Sequence, residues 1–171
     1  MQAIDLTVPQ GAIFSEDGKY RYVLWRVWDL TLALRLVIAL NPSKANHIIN
    51  DPTITRSVVR ADRDGFGGLL FANIYALKST DPKRLLEEDD VIGVENDEYL
   101  KLLISMAMAS GGQVVCAWGS FAPVAKRAPD VLKMIPEPYC LGVNADGNPK
   151  HPLYISYKTQ VVRYGRTLHK E

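Results

Sequence analysis

The chain has 171 residues, 47% of them apolar and 23% charged, with a formal net charge of +1; these figures fit one packed domain and exclude a disordered chain. No apolar run approaches the roughly 18 residues of a membrane span, and Met1 to Gln10 carries Asp5 and Pro9 without the basic region of a signal peptide. Two cysteines, Cys116 and Cys140, are too few for a disulfide scaffold or a four-cysteine metal site, so a reduced, cytoplasmic setting is the expectation. In chain order, Tyr20 to Trp28 is rich in aromatic and branched residues, and Leu32 to Leu40 follows a turn at Asp29, so the pair predicts an antiparallel hairpin. Leu36 to Leu40 is continuously apolar, as in a strand covered on both faces. Asp51-Pro52 opens a predicted helix over Thr53 to Arg63, as N-cap and first-turn proline. Apolar runs at Gly68 to Ala72, Gln113 to Trp118 and Tyr139 to Val143 predict three further strands. Asn96 to Ala109 has an apolar helical face ended by Gly111-Gly112, and Gly119 to Lys126 and Pro129 to Met134 read as shorter helices. Strands alternating with helices imply right-handed crossovers and a mainly parallel sheet. The expectation is a single α/β domain over 1–171 with its core at about 20–160. It would form three α/β/α layers, with four parallel strands in the order 2-1-3-4 and an added N-terminal antiparallel strand.

In open α/β sheets, ligands bind beyond the carboxyl ends of the strands. Each predicted parallel strand here ends in a polar element: Asn41-Pro42-Ser43, then Asn73, then Trp118-Gly119-Ser120, then the turn Asn144 to Asn148 with Lys150-His151-Pro152. An asparagine offers a donor and an acceptor on one planar group, as nucleobase edges do. A histidine donates a hydrogen bond near neutral pH. Singly, each has a plainer reading. Asn41-Pro42 is turn chemistry, Asn73 satisfies backbone groups, His151 is structural, and Asp51 is equally a helix cap or a second group orienting water. Trp25, Trp28 and Trp118 read as core or pocket wall, and His47 and His169 as surface residues. There is no phosphate loop of the Walker type, no serine nucleophile elbow and no metal-ligand spacing.

The ordered set Asn41-Pro42, Asn73, Gly119 and His151-Pro152 resembles the uracil-DNA glycosylase superfamily. Leu40-Asn41-Pro42-Ser43 is similar to the version in mismatch-specific uracil glycosylases, with Ala39 where glycine is usual. Arg21 to Tyr157 also looks like a family of small prokaryotic and phage proteins known as a domain of unknown function. Its expected recurring words are Asn41-Pro42-Ser43, Asp51-Pro52-Thr53, Trp118-Gly119 and His151-Pro152-Leu153-Tyr154. The resemblance implies that Asn41 orients the attacking water, Asn73 reads the pyrimidine edge, and His151 stabilises charge on the departing base. Pro42, Ser43 and Trp118 would line the base pocket. Leu153-Tyr154 stands where relatives have serine, which puts the duplex-facing loop in question, and the cysteines of the iron–sulphur branches are absent. No cofactor and no metal are implied. The partner would be DNA, bound by a monomer.

Charge distribution permits that partner. Glu87 to Glu98 holds seven acids and no Lys or Arg, leaving 20 basic against 12 acidic residues elsewhere. Arg56, Arg60 and Lys150 are the candidate phosphate contacts, because they neighbour the motifs; a solvated surface of scattered charges is the plainer reading. In strict uracil enzymes a tyrosine follows the motif's proline and crowds the pyrimidine C5. Ser43 stands there in this chain, so the expected target is a C5-modified pyrimidine such as the hydroxymethylated or glycosylated cytosine of phage DNA, with a role in antiphage defence. The plainer reading makes Ser43 a turn residue or the N-cap of a helix over Lys44 to Ile49. Two further classes stay open: a hydrolase or transferase of free modified nucleosides or nucleotides, and a non-enzymatic binding module for nucleic acid or a protein partner.

Overall fold

A computed structural model of the chain describes residues 1–165; Arg166, one of the basic residues, and His169 lie outside the described residues. One mixed sheet of seven strands runs through the molecule: β1 (Gln10–Phe14), β2 (Arg21–Val27), β3 (Leu34–Ala39), β4 (Gly68–Asn73), β5 (Gln113–Cys116), β6 (Pro138–Cys140) and β7 (Val162–Arg163). Their spatial order is β1-β2-β4-β3-β5-β6-β7. The four neighbours β4, β3, β5 and β6 are mutually parallel, while β2 joins β4, β1 joins β2 and β7 joins β6 antiparallel. The sheet is thus larger than the expected four parallel strands plus one.

Three helices cover it: α1 (Pro52–Arg63), α2 (Asn96–Ala109) and α3 (Val124–Leu132). Strand residues alternate between faces. Leu36, Ile38, Leu70 and Ala72 pack with Leu103, Ala107, Val124 and Val131 of α2 and α3. Val37, Ala39, Leu69 and Phe71 pack with Ile54 of α1 on the opposite face. The central strands β3 and β4 are buried along their whole length because helices lie on both sides.

Three local expectations are corrected. The predicted hairpin between Tyr20–Trp28 and Leu32–Leu40 does not form, because β4 lies between those strands. Gly67 takes the hydrogen bonds that a hairpin would have used. Its carbonyl accepts from the Trp28 and Asp29 amides, and its own amide donates to Ala33. A side chain at Gly67 would sit 1.8 Å from the Asp29 carbonyl oxygen, so the close approach requires glycine. The two short helices expected over 119–134 are one helix, α3, with Pro129 inside it. Burial of Val124, Ala128 and Val131 offsets the hydrogen bond that the proline forfeits. Residues 44–49 form no helix. The Asn46 side-chain oxygen accepts from the Ile48 and Ile49 amides, and buried Arg26 takes the Asn46 carbonyl and the Asn50 side chain. Ser43 therefore caps no helix there.

Candidate active site

The carboxyl ends of the parallel strands carry the polar cluster. β4 ends in Asn73, opposite Ala39 at the end of β3. Asn73 is 1% exposed. Its backbone carbonyl accepts from Asn96 Nδ2 at 3.0 Å, and its Oδ1 faces Arg21 Nη2 at 3.5 Å. Its Nδ2 is buried without an acceptor. Such an orphaned donor costs about 1–3 kcal/mol.

Arg21 was not among the residues expected from sequence. It is 2% exposed, and its Nη1 donates to the Ala45 carbonyl at 2.8 Å. A bulge places it there: Ile13 pairs with Val23 but Phe14 pairs with Arg21. The extra residue in β2 lets Tyr22 and Val23 both join the α2–α3 core and turns Arg21 toward the loop beside α1. Burial pushes the guanidinium pKa down to about 10, against the opposing pull of Asp51.

Asp51 caps α1, with Oδ1 accepting from the Ile54 amide at 2.9 Å. Its charge also acts on His151, raising a pKa that burial lowers more strongly. The His151 Nδ1 accepts from the Leu153 amide at 3.2 Å. In the neutral ring the proton is then on Nε2, which remains a donor. Gly119, with φ of +74°, turns the chain after β5 and donates its amide to the Pro149 carbonyl beside this loop. Asn41 sits past the end of β3. Its Nδ2 donates to the carbonyls of Pro42 at 3.2 Å and Ser79 at 3.0 Å, and its Oδ1 accepts no hydrogen bond among the described residues.

Asn73 thus meets Arg21 at the end of β4, Asp51 acts through its charge on both Arg21 and His151, and Asn41 lies just past the adjoining strand end. Pro42 is buried and its carbonyl accepts from the Ser79 amide, while Ser43 is half-buried beside it. Three expected site residues lie elsewhere or act differently. Trp118 is 1% exposed and packs in the α2–α3 core, edge-on to Tyr164, on the face of the sheet away from α1. It is not wall to a pocket at Asn73.

Arg60 is 3% exposed. Its Nη2 donates to the carbonyls of Ile155 at 2.7 Å and Ser156 at 3.0 Å. Arg56 donates to Pro152 and Ile155 and stacks on the Tyr157 ring at 4.3 Å. These two arginines tie the His151 loop to α1 instead of offering free guanidinium groups to phosphates. Lys150 is half-buried, with its backbone amide on the Gly142 carbonyl.

A cavity of about 10 Å³ under Pro152, lined by Val37, Ser57, Arg60 and Ala117, has room for a single water. A groove of about 730 Å³ lies at the far sheet edge between α3 and β7. Its charged walls, Lys133, Glu137 and Arg163, are solvent-exposed side chains, and none of Asn41, Asp51, Asn73 and His151 lines it. Among the described residues no group of three or more His, Cys, Asp or Glu is placed to hold a metal, and no helix is long and apolar enough to cross a membrane.

The fold defines an α/β protein with polar residues at the carboxyl ends of its parallel strands. Residues 21–153 match the family model described as "Protein of unknown function (DUF1643)", and the chain belongs to that family. No curated protein and no solved structure matches it.

Proposed function

We propose that the chain is a DNA glycosylase, a cytoplasmic monomer that hydrolyses the N-glycosidic bond of a flipped, C5-modified pyrimidine and leaves an abasic site. The observation that carries this reading is the buried Asn73 amide, whose unpaired Nδ2 stands at a strand end beside the buried Arg21. A buried amide with an unmet donor is suited to an acceptor that arrives with a ligand, and a base edge supplies one. The bond from C1′ to the base breaks with its electron pair leaving on the base, and water adds at C1′. The neutral His151 offers Nε2–H to the departing base, and Asn41 Oδ1 orients the water, whose proton passes to solvent. Asp51 Oδ1 is occupied by the helix cap; its charge supports the cationic sugar. Ser43, free of any capping role in a 44–49 helix, leaves room at C5. A role in antiphage defence follows where the modified base marks phage DNA.

The test is base release from matched DNAs carrying plain, uracil, and C5-hydroxymethylated or glycosylated pyrimidines, scored as abasic sites and free base. Cleavage of a C5-modified DNA is expected; cleavage confined to uracil removes the C5 assignment, and none in any DNA removes the glycosylase. The engagement of Arg56 and Arg60 by backbone carbonyls favours a second reading, a hydrolase of free modified nucleotides, which needs fewer phosphate contacts.

A further inference from the structure

Two arginines of β2 are buried on the α1 side of the sheet, and they differ in one respect. Arg26 is enclosed by acceptors: Asn50 Oδ1 at 2.8 Å and the carbonyls of Trp25 at 2.8 Å and Asn46 at 2.6 Å, with longer contacts to Gly11 and Ile49. Its role is to fold the loop before α1. Arg21 is more deeply buried, yet has one good hydrogen bond, to Ala45, and one long contact, to Asn73. No carboxylate lies within ion-pair distance of it among the described residues. A buried charge is ordinarily paired and fully hydrogen-bonded. This one is neither.

Arg21 can only donate. It therefore holds the Asn73 Oδ1, which leaves the buried Nδ2 as an unpaired donor. Asn96, donating to the carbonyls of Asn73 and Ile74, prevents the strand end from shifting to relieve it. The unpaired charge and the unpaired donor are adjacent and share one solution: an acceptor atom bearing negative charge.

We infer that Arg21, acting through Asn73, makes this strand end selective for an anionic planar acceptor, which under the glycosylase reading is the pyrimidine anion formed as the base departs. Arg21 is a positioning residue here. It fixes the amide and supplies its charge, while Asn73 makes the contact. A hydrogen bond polarised by a neighbouring cation is stronger toward a charged acceptor than toward a neutral one.

The inference rests on the proposed reading for the identity of its ligand, but its test does not require catalysis. The probes are 5-nitrouracil, which is largely an anion at pH 8, and thymine, which is neutral there and of similar shape. Binding is measured by titration calorimetry and by the shift of the Asn73 side-chain amide resonance. Wild type is expected to prefer 5-nitrouracil by about tenfold or more, and Arg21→Gln to hold the preference within about twofold. Because Arg21→Gln could fail to fold, Asn73→Asp serves as the second variant. It is nearly isosteric and gives Arg21 the carboxylate it lacks. It should therefore hold or raise the melting temperature while abolishing the preference for the anion. Equal binding of the two probes by wild type, no binding of either, or an Asn73→Asp protein that melts lower or keeps the preference overturns the inference. The separate DNA panel tests the glycosylase reading, so base release without anion preference defeats the inference alone.

Discussion

At the scale of single residues, His151 joins a local structural task to the proposed chemistry. Its Nδ1 is the acceptor that starts the short 3-10 turn Pro152–Tyr154, so the ring is held as the Nε2–H tautomer. Burial lowers its pKa from 6.5, with Asp51 opposing. A histidine whose native pKa lies below its unfolded value contributes nothing adverse above pH 6.5. As pH falls from there toward the native value, the unfolded chain takes up the proton first and stability is lost. His151→Asn keeps a cap acceptor and removes the titration. Urea melts between pH 8 and pH 5 should show a smaller loss of stability below pH 6.5 in this variant than in wild type. Base release should slow by about a hundredfold or more as the donor to the leaving base disappears; an unchanged stability profile would mean that the ring is not held neutral. The residues legible in sequence were those whose position alone is informative, Asn73 and His151 following apolar runs. Arg21 was not legible, because its inward turn depends on a bulge opposite Phe14, and nothing local to Tyr20–Trp28 marks where the alternation breaks.

At the scale of elements, the helices with explicit start or stop signals were readable and the irregular connections were not. Asp51-Pro52 and Gly111-Gly112 mark the start of α1 and the end of α2, where Gly111 takes φ of +76° and a side chain at Gly112 would meet the Leu34 carbonyl at 1.8 Å. β1 was missed because Gly11 interrupts its apolar pattern; that glycine makes room for the Trp25 ring, within 2.1 Å of where a side chain would begin. β7 has two residues, both exposed, and carries no pattern to read. The loop over 44–49 was misread because its order comes from Arg26, a residue twenty positions away. Asp51 is where an element's start meets the candidate site, and its two roles separate by substitution. Asp51→Asn retains a side-chain acceptor for the Ile54 amide and should change stability by less than about 0.5 kcal/mol, whereas Asp51→Ala should cost about 1 kcal/mol. If the charge also supports the reaction, both variants lose base release to a similar extent despite their different stabilities. Thermal melts beside single-turnover rates make the comparison. Activity in Asp51→Asn equal to wild type leaves Asp51 a cap alone.

At the scale of the whole molecule, the question is where a polyanion would lie, and burial changes the answer that composition suggests. The acidic run is partly neutralised by its neighbours: Glu88 pairs with Lys19 at 3.3 Å and Arg84 at 2.6 Å, Glu95 with the N-terminal amine at 3.1 Å, and Asp97 with Arg127. On the other side of the balance, Arg21, Arg26, Arg35 and Arg60 are all buried and cannot meet phosphates at the surface. The basic excess available to DNA is therefore smaller than the count of residues implies. Of the three phosphate contacts expected from sequence, Lys150 is the one whose side chain makes no ion pair or hydrogen bond among the described residues, and it immediately precedes His151. Each phosphate contact adds about 0.9 to the slope of log affinity against log salt for duplex DNA. Lys150→Ala should thus reduce that slope by about one and weaken all sequences alike, while Arg60→Met, if folded, should leave the slope unchanged. Fluorescence anisotropy with a labelled duplex across a salt series measures both. A wild-type slope near zero would transfer the argument to free nucleotides, for which a single phosphate suffices. A steep slope that Lys150→Ala does not alter would place the duplex on another face of the sheet, away from the His151 loop.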